Sequence, residues 1–328
     1  MITLDLLFCI IGFMLLYYGA EWLVKGSSSI ARSLGVTPVV IGLTVVAFGT
    51  STPEFVVSIV SSIKGNSMIA VGNVIGSNIF NISFILGISA LFRPITSSRS
   101  VVKRNIPIML GVSLFILLIS LDSMLGRLEG AILFAGIILY TFFNYYMARK
   151  ESRQGQENFT GQIKSEFDEI GYITSRSRQI VLIVAGIAGV VAGAQIVVDS
   201  AVKIMEMLGV SEKFIGLTIV AVGTSLPELA TSVVAAMKKE MDISIGNLVG
   251  SNVFNILSVL GAASLIRPIP VPGGFIESGM IFDYMVMIFT SFLPWLFMRK
   301  GLTVNRADGM LLLMCYFGYM AYQVIQAL

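Results

Sequence analysis

The sequence predicts an all-α membrane protein: ten transmembrane helices in two inverted-topology five-helix repeats, with broken helices at a central ion site. Three observations carry that prediction. Hydrophobic residues make up 55% of the 328 residues and charged residues only 12%, with a mean hydropathy of +0.88. An ordinary soluble domain is about a quarter charged. Ten apolar stretches can be marked along the chain, most of them about the ~20 residues that cross a hydrocarbon core about 30 Å thick. Finally, Gly42-Leu-Thr-Val-Val-Ala-Phe-Gly-Thr-Ser-Thr-Pro-Glu54 returns as Gly216-Leu-Thr-Ile-Val-Ala-Val-Gly-Thr-Ser-Leu-Pro-Glu228, at a constant offset of 174 residues.

The stretches lie near 4–24, 39–63, 68–92, 105–121, 128–148, 179–206, 213–237, 241–266, 279–298 and 308–327. The first is closed by Glu21 and Lys25. It lacks a basic leader and an A-x-A-like cleavage site, so it reads as a span and not a signal peptide. The second and third carry the segments that the seventh and eighth repeat, and 28 of 54 positions are identical between Gly42–Ile95 and Gly216–Ile269. Residues 150–178, rich in Glu, Gln, Ser, Arg and Gly, form a polar linker between a first half, 1–149, and a second, 179–328. The remaining spans complete five in each half. Cys9 and Cys315 sit in opposite terminal spans with no metal-binding spacing. Histidine is absent, which leaves carboxylates as the titrating groups at membrane depth. No cofactor, enzymatic residue or nucleic-acid partner is expected; the lipid bilayer is the surrounding medium.

Basic residues set the orientation. The loops between spans 1–2, 3–4, 5–6, 7–8 and 9–10 hold 17 Lys and Arg, against five on the other side: Lys64, Arg127, Lys203, Lys213 and Arg267. The positive-inside rule makes the crowded side cytoplasmic. Both termini are then extracellular, the linker is cytoplasmic, and the protein is multi-pass in a cell membrane. Equivalent residues of spans two and seven are separated by five crossings. An odd number reverses direction, so the halves are related by a two-fold axis in the membrane plane, a plan of transporters that bind near the midplane.

What the repeat keeps is polar as well as apolar. Pro53 and Pro227 cannot donate a backbone hydrogen bond, and each ring crowds the carbonyl four residues earlier, at Gly49 and Gly223. The helix is expected to break there, making the carbonyls of Ala47, Thr50, Ala221 and Thr224 candidate ligands. Glu54 and Glu228 follow the breaks. A charged group at the bilayer centre costs at least about 2.5 kcal/mol, and no span carries a basic residue near its midpoint. A cation or protons between the two acids is the expected counter-charge.

Spans three and eight add Gly72-Asn-Val-Ile-Gly-Ser-Asn-Ile-Phe-Asn81 and Gly246-Asn-Leu-Val-Gly-Ser-Asn-Val-Phe-Asn255. Asn73, Ser77 and Asn81 share one helical face, as do Asn247, Ser251 and Asn255. A packing seam of small residues would keep the same glycines and serines, and Asn78 and Asn252 fit that seam as well as a site. The oxygen set suits a hard cation such as Ca²⁺, with no thiolate or imidazole for copper or zinc. Two carboxylates balance one Ca²⁺ or two Na⁺.

At these residues the chain resembles the sodium/calcium exchangers of the calcium/cation antiporter superfamily, of prokaryotic type, and the resemblance covers all ten spans. It implies secondary active antiport of sodium for calcium by alternating access. It also implies Glu54 and Glu228 as central calcium ligands with the Thr50 and Thr224 carbonyls. Ser51, Ser77, Ser225 and Ser251, with the carbonyls of Ala47 and Ala221, complete flanking sodium sites, and spans one and six slide against the rest. Potassium-dependent relatives carry Asp at the place of Asn255, whereas Asn81 and Asn255 are both neutral here. Proton-coupled relatives carry Glu at the places of Gly76 and Gly250. A calcium/proton antiporter on the same scaffold and a calcium-permeable channel remain the alternatives.

Overall fold

Long apolar runs give long helices. In a computed structural model, which describes residues 2–155, 173–208, 221–271 and 279–327, α1 spans Ile2–Leu34. A bent pair follows, α2 (Pro38–Thr50) and α3 (Thr52–Lys64), then α4 (Met68–Phe92) and α5 (Val101–Ile119). After α6 (Arg127–Gly155) and α7 (Arg176–Met207) come α8 (Leu226–Met237), α9 (Met241–Ile266), α10 (Met280–Gly301) and α11 (Arg306–Ala327). Among the described residues seven helices are long and apolar enough to cross a membrane, and the bent pair brings the number to eight. The first part of the expected seventh span lies outside the described residues. The expected tenth span, α11, is helical throughout, but Tyr316, Tyr319, Tyr322, Gln323 and Gln326 dilute its apolarity. Two of its polar side chains are satisfied by the neighbouring helix: Tyr319 and Gln323 both donate to Asp283 on α10, at 3.0 and 2.6 Å.

The first helix runs ten residues beyond the apolar stretch that announces it. Lys25-Gly-Ser-Ser-Ser is too polar for a hydropathy window, yet it buries Ser27, Ser28 and Ser29. The helix stops at Gly35, whose φ of +66° sets a left-handed cap. Val36 N–H bonds Ala31 O at 3.0 Å and Gly35 N–H bonds Arg32 O at 3.1 Å, the paired bonds of a Schellman motif.

Burial separates interior from periphery. The apolar windows of α4 and α9 are 78% and 83% buried, against 22–39% for the other long helices. Thus α4 and α9 form the core, and α6 presents Leu128, Leu139 and Phe142, each more than 65% exposed, as a lipid-facing surface. Helices α1 and α7 run antiparallel in backbone contact. A Cβ added at Gly19 would stand 2.7 Å from Val190 N, and one at Gly186 would stand 2.5 Å from Leu23 N. Only glycine allows that approach.

The helix ends are tied by short ladders. Strand β1 (Ile95–Thr96) pairs antiparallel with β4 (Thr303–Val304), and β2 (Met124–Leu125) with β3 (Ile269–Pro270). Each ladder joins two loops that the charge count assigns to one side. On the lysine-rich side, α1 is also clamped to the turn between α8 and α9. Arg32 pairs with Glu240 at 3.1 Å and Lys238 with Glu21 at 2.6 Å. The Glu21 carboxylate beside it holds the Lys238 ammonium above its ordinary pKa.

Candidate cation site

The break expected at the prolines is present. Helices α2 and α3 meet at 46°, with Ser51 between them at φ −82°, ψ +10°. Ser225 precedes α8 in nearly the same conformation, φ −93°, ψ +8°. Ser51 N–H still reaches Ala47 O at 3.0 Å, and the Thr50 hydroxyl oxygen lies 3.4 Å from the same carbonyl. The Ala47 carbonyl is therefore engaged within its own helix. Ala221 begins a short turn, Ala221–Gly223, on the other side.

Beyond each break the acidic residue enters the first turn of a helix, where the positive end of the helix favours a negative charge. Glu54 and Glu228 are both wholly buried. Each is held by serines from two different segments. Glu54 Oε1 accepts the hydroxyl of Ser225 at 2.8 Å and that of Ser77 at 3.4 Å. Glu228 Oε1 accepts Ser51 at 2.7 Å and Ser251 at 3.5 Å. Exchanging each residue for its counterpart 174 positions away in the other copy turns one set into the other. The Ser225 and Ser77 hydroxyl oxygens also lie 3.1 Å apart.

A second layer of amides braces this centre. The Thr50 hydroxyl donates to Asn247 Oδ1 at 3.0 Å and the Thr224 hydroxyl to Asn73 Oδ1 at 3.4 Å. Asn247 and Asn73 in turn donate to Ser232 Oγ at 3.0 Å and Ser58 Oγ at 3.1 Å. Asn73 also donates to the Glu54 carbonyl at 3.3 Å. Ser58 and Ser232 were not singled out in the sequence, although each is identical between the two copies and lies one helical turn past its glutamate. Close packing sets the layer's position: a Cβ on Gly250 would meet Leu43 O at 2.7 Å and Ala47 Cβ at 2.8 Å. Gly250 thus serves the packing seam, bringing α9 against α2.

Asn81 and Asn255 lie one turn beyond Ser77 and Ser251, where α4 and α9 widen into π-helical segments, Phe80–Leu86 and Asn255–Leu260. Both asparagines are fully buried. Four acceptor oxygens of this cluster have no hydrogen-bond partner: Glu54 Oε2, Glu228 Oε2, Asn81 Oδ1 and Asn255 Oδ1. Buried acceptors are rarely left so. Among the described residues no group of three or more His, Cys, Asp or Glu converges anywhere. The centre is two carboxylates among neutral oxygens, a donor set for a hard cation.

Comparison with known proteins agrees with the residue chemistry. A profile of the family described as "Sodium/calcium exchanger protein" matches residues 4–146 and 178–325. The sodium/calcium exchanger MaX1 of Methanosarcina acetivorans is 34% identical, over 98% of this chain and 98% of its own. Inner membrane protein YrbG of Escherichia coli is 37% identical, over 92% and 91%. Among solved structures, the sodium-calcium exchanger NCX_Mj superposes with a TM-score of 0.83 at 34% identity, covering 98% of this chain and 99% of the other.

Proposed function

This chain belongs to the sodium/calcium exchanger protein family, and from that premise we propose that it exchanges sodium for calcium across a cell membrane by alternating access. The four unpartnered acceptors at the centre carry the reading. A donor-rich pocket would satisfy a buried carboxylate with N–H groups; here Glu54 and Glu228 receive only hydroxyls, on one oxygen each. The other oxygen is free for a cation. In this reading Ca²⁺ sits between the two Oε2 atoms, with the Thr50 and Thr224 carbonyls as further ligands. Na⁺ takes flanking positions built from Ser51, Ser77, Ser225 and Ser251 and the Ala47 and Ala221 carbonyls, and Asn81 and Asn255 contribute neutral oxygens.

The halves 1–149 and 179–328 act as inverted five-helix repeats joined by the cytoplasmic linker 150–178, with both termini extracellular. The +174 correspondence of the site's hydrogen bonds supports a two-fold relation. So does the match of the family profile to each half. Two carboxylates neutralise one Ca²⁺, whereas three Na⁺ leave a net positive charge, so an exchange of that ratio is voltage-dependent.

Calcium uptake into proteoliposomes tests the proposal under an imposed sodium gradient and, separately, under a pH gradient. Sodium-driven uptake is expected. Uptake driven by the pH gradient alone would replace sodium by protons as the counter-ion, and flux that needs no counter-ion would make the protein a channel.

A further inference from the structure

Four asparagines lock together where α4 crosses α9, and the lock fixes which atom each amide presents. Asn252 Nδ2 donates to the backbone carbonyl of Asn78 at 3.2 Å, and Asn78 Nδ2 donates to the backbone carbonyl of Asn252 at 3.2 Å. A backbone carbonyl only accepts, so neither amide can be turned over. The Oδ1 atoms of Asn252 and Asn78 must therefore face the other way. There they meet Asn81 Nδ2 and Asn255 Nδ2, each at 3.1 Å. With those nitrogens committed, the Oδ1 atoms of Asn81 and Asn255 are compelled to be acceptors, and both are buried without a partner. All four residues are fully buried.

From this geometry we infer that Asn78 and Asn252 are positioning residues: each orients the asparagine of the opposite repeat so that its amide oxygen, not its nitrogen, is offered to the transported cation. The inference rests on the proposed cation site and adds residues to it that need not touch the ion. A flipped Asn81 or Asn255 would aim an N–H at a cation and repel it. The two backbone carbonyls at the crossing prevent that flip. The arrangement also explains why Asn78 and Asn252 recur in the two copies when they face each other and not the carboxylates. A mere packing role accounts for their burial. It does not account for a chain of donors and acceptors that leaves one acceptor free at each end.

A double-mutant cycle on purified carrier separates the two roles. The readouts are the rise in melting temperature produced by Ca²⁺ or Na⁺ in detergent, and the half-saturation concentrations for calcium and sodium in proteoliposomes. Asn252→Leu, close to asparagine in size, is expected to raise at least one half-saturation concentration about tenfold and to shrink the matching ion-induced melting shift. In an Asn81→Ala background the same change is expected to add less than about twofold, because it acts through Asn81. Additive effects in the cycle, or wild-type affinities in a monodisperse Asn252→Leu carrier, overturn the inference. If that variant does not yield a monodisperse carrier, Asn252→Ala goes through the same cycle with the same criteria. Wild-type protein that shows ion-induced melting shifts but no sodium-driven uptake refutes the exchange reading alone, and the cycle is then judged on the melting shifts. Wild-type protein without any ion-induced shift refutes both.

Discussion

Ser51 donates its hydroxyl to Glu228 at 2.7 Å although 177 residues separate them in the chain. Ser225 does the same for Glu54 at 2.8 Å. Each helix break therefore supports the carboxylate of the other half, and neither half can build the centre alone. Hydrogen bonds to a charged group contribute about 1.5–3 kcal/mol. Ser51→Ala and Ser225→Ala are each expected to raise the calcium half-saturation concentration about tenfold or more. The two should agree to within about threefold. A large effect from one and none from the other would break the reciprocity on which the site rests.

Charge removal is the sharper perturbation. Glu54→Gln or Glu228→Gln keeps the shape and removes half the negative charge facing the cation. Calcium exchange in proteoliposomes is expected to fall by about two orders of magnitude, given that losing one close charge–charge contact costs several kcal/mol at reduced dielectric. The protein should still fold, because a neutral amide is cheaper to bury than a charge. Exchange at the wild-type rate in both variants would remove the carboxylates from the transport step.

The clamp on α1 makes a separate prediction about stability. Glu240 accepts Ser28 at 2.6 Å and Arg32 at 3.1 Å, and its side chain is only 9% exposed. Arg32→Met leaves that charge poorly compensated and is expected to destabilise the protein by about 1–3 kcal/mol. Adding Glu240→Gln should recover part of the loss. Thermal unfolding of the two single variants and the double variant measures the coupling, and strict additivity would argue against a working ion pair.

The turn that carries Glu240 contains a strained residue. Lys239 has φ +65°, where its counterpart in the other half is Gly65 at φ +87°. Both close their helices with the same pair of bonds: Glu240 N–H to Ala235 O at 2.9 Å and Asn66 N–H to Ser61 O at 2.9 Å, with the shorter-range bond beside each. A side chain in that conformation costs about 1–2 kcal/mol. Lys239→Gly is expected to stabilise the protein by about 1 kcal/mol, read as a higher melting temperature. A lower melting temperature would show that contacts of the lysine outweigh its backbone strain.

Much of this was legible in the chain because duplication acts as a filter. Residues kept across two copies that run through the membrane in lipid-like surroundings stand out when they are polar, and Glu54, Ser51, Ser77 and Asn81 with their partners were visible for that reason. The proline rule placed a break between Gly49 and Pro53, and the bend falls inside that interval, at Ser51. Other features left no such mark. The π-helical turns at Phe80–Leu86 and Asn255–Leu260 depend on packing at the α4–α9 crossing, and an extra residue in a turn has no periodic signature in a fully buried helix. The extension of α1 to Leu34 was hidden by its run of buried serines, of which Ser28 donates to Glu240. Asn78 and Asn252 could not be assigned between packing and site, because only three-dimensional contacts reveal which face of an amide is used.

The hydroxyl cradle around Glu54 and Glu228 has one further consequence. Among the described residues no lysine or arginine ion-pairs with either acid, so in the proposed exchange their charge is cancelled by bound cations or by protons. On that reading, a carrier that released its ions on one side and reoriented empty would keep two bare carboxylates buried at its centre. Electrostatics opposes that empty, unprotonated return. On the proposed exchange, reorientation is then favoured for the loaded protein, which would tie the movement of one ion to that of the other.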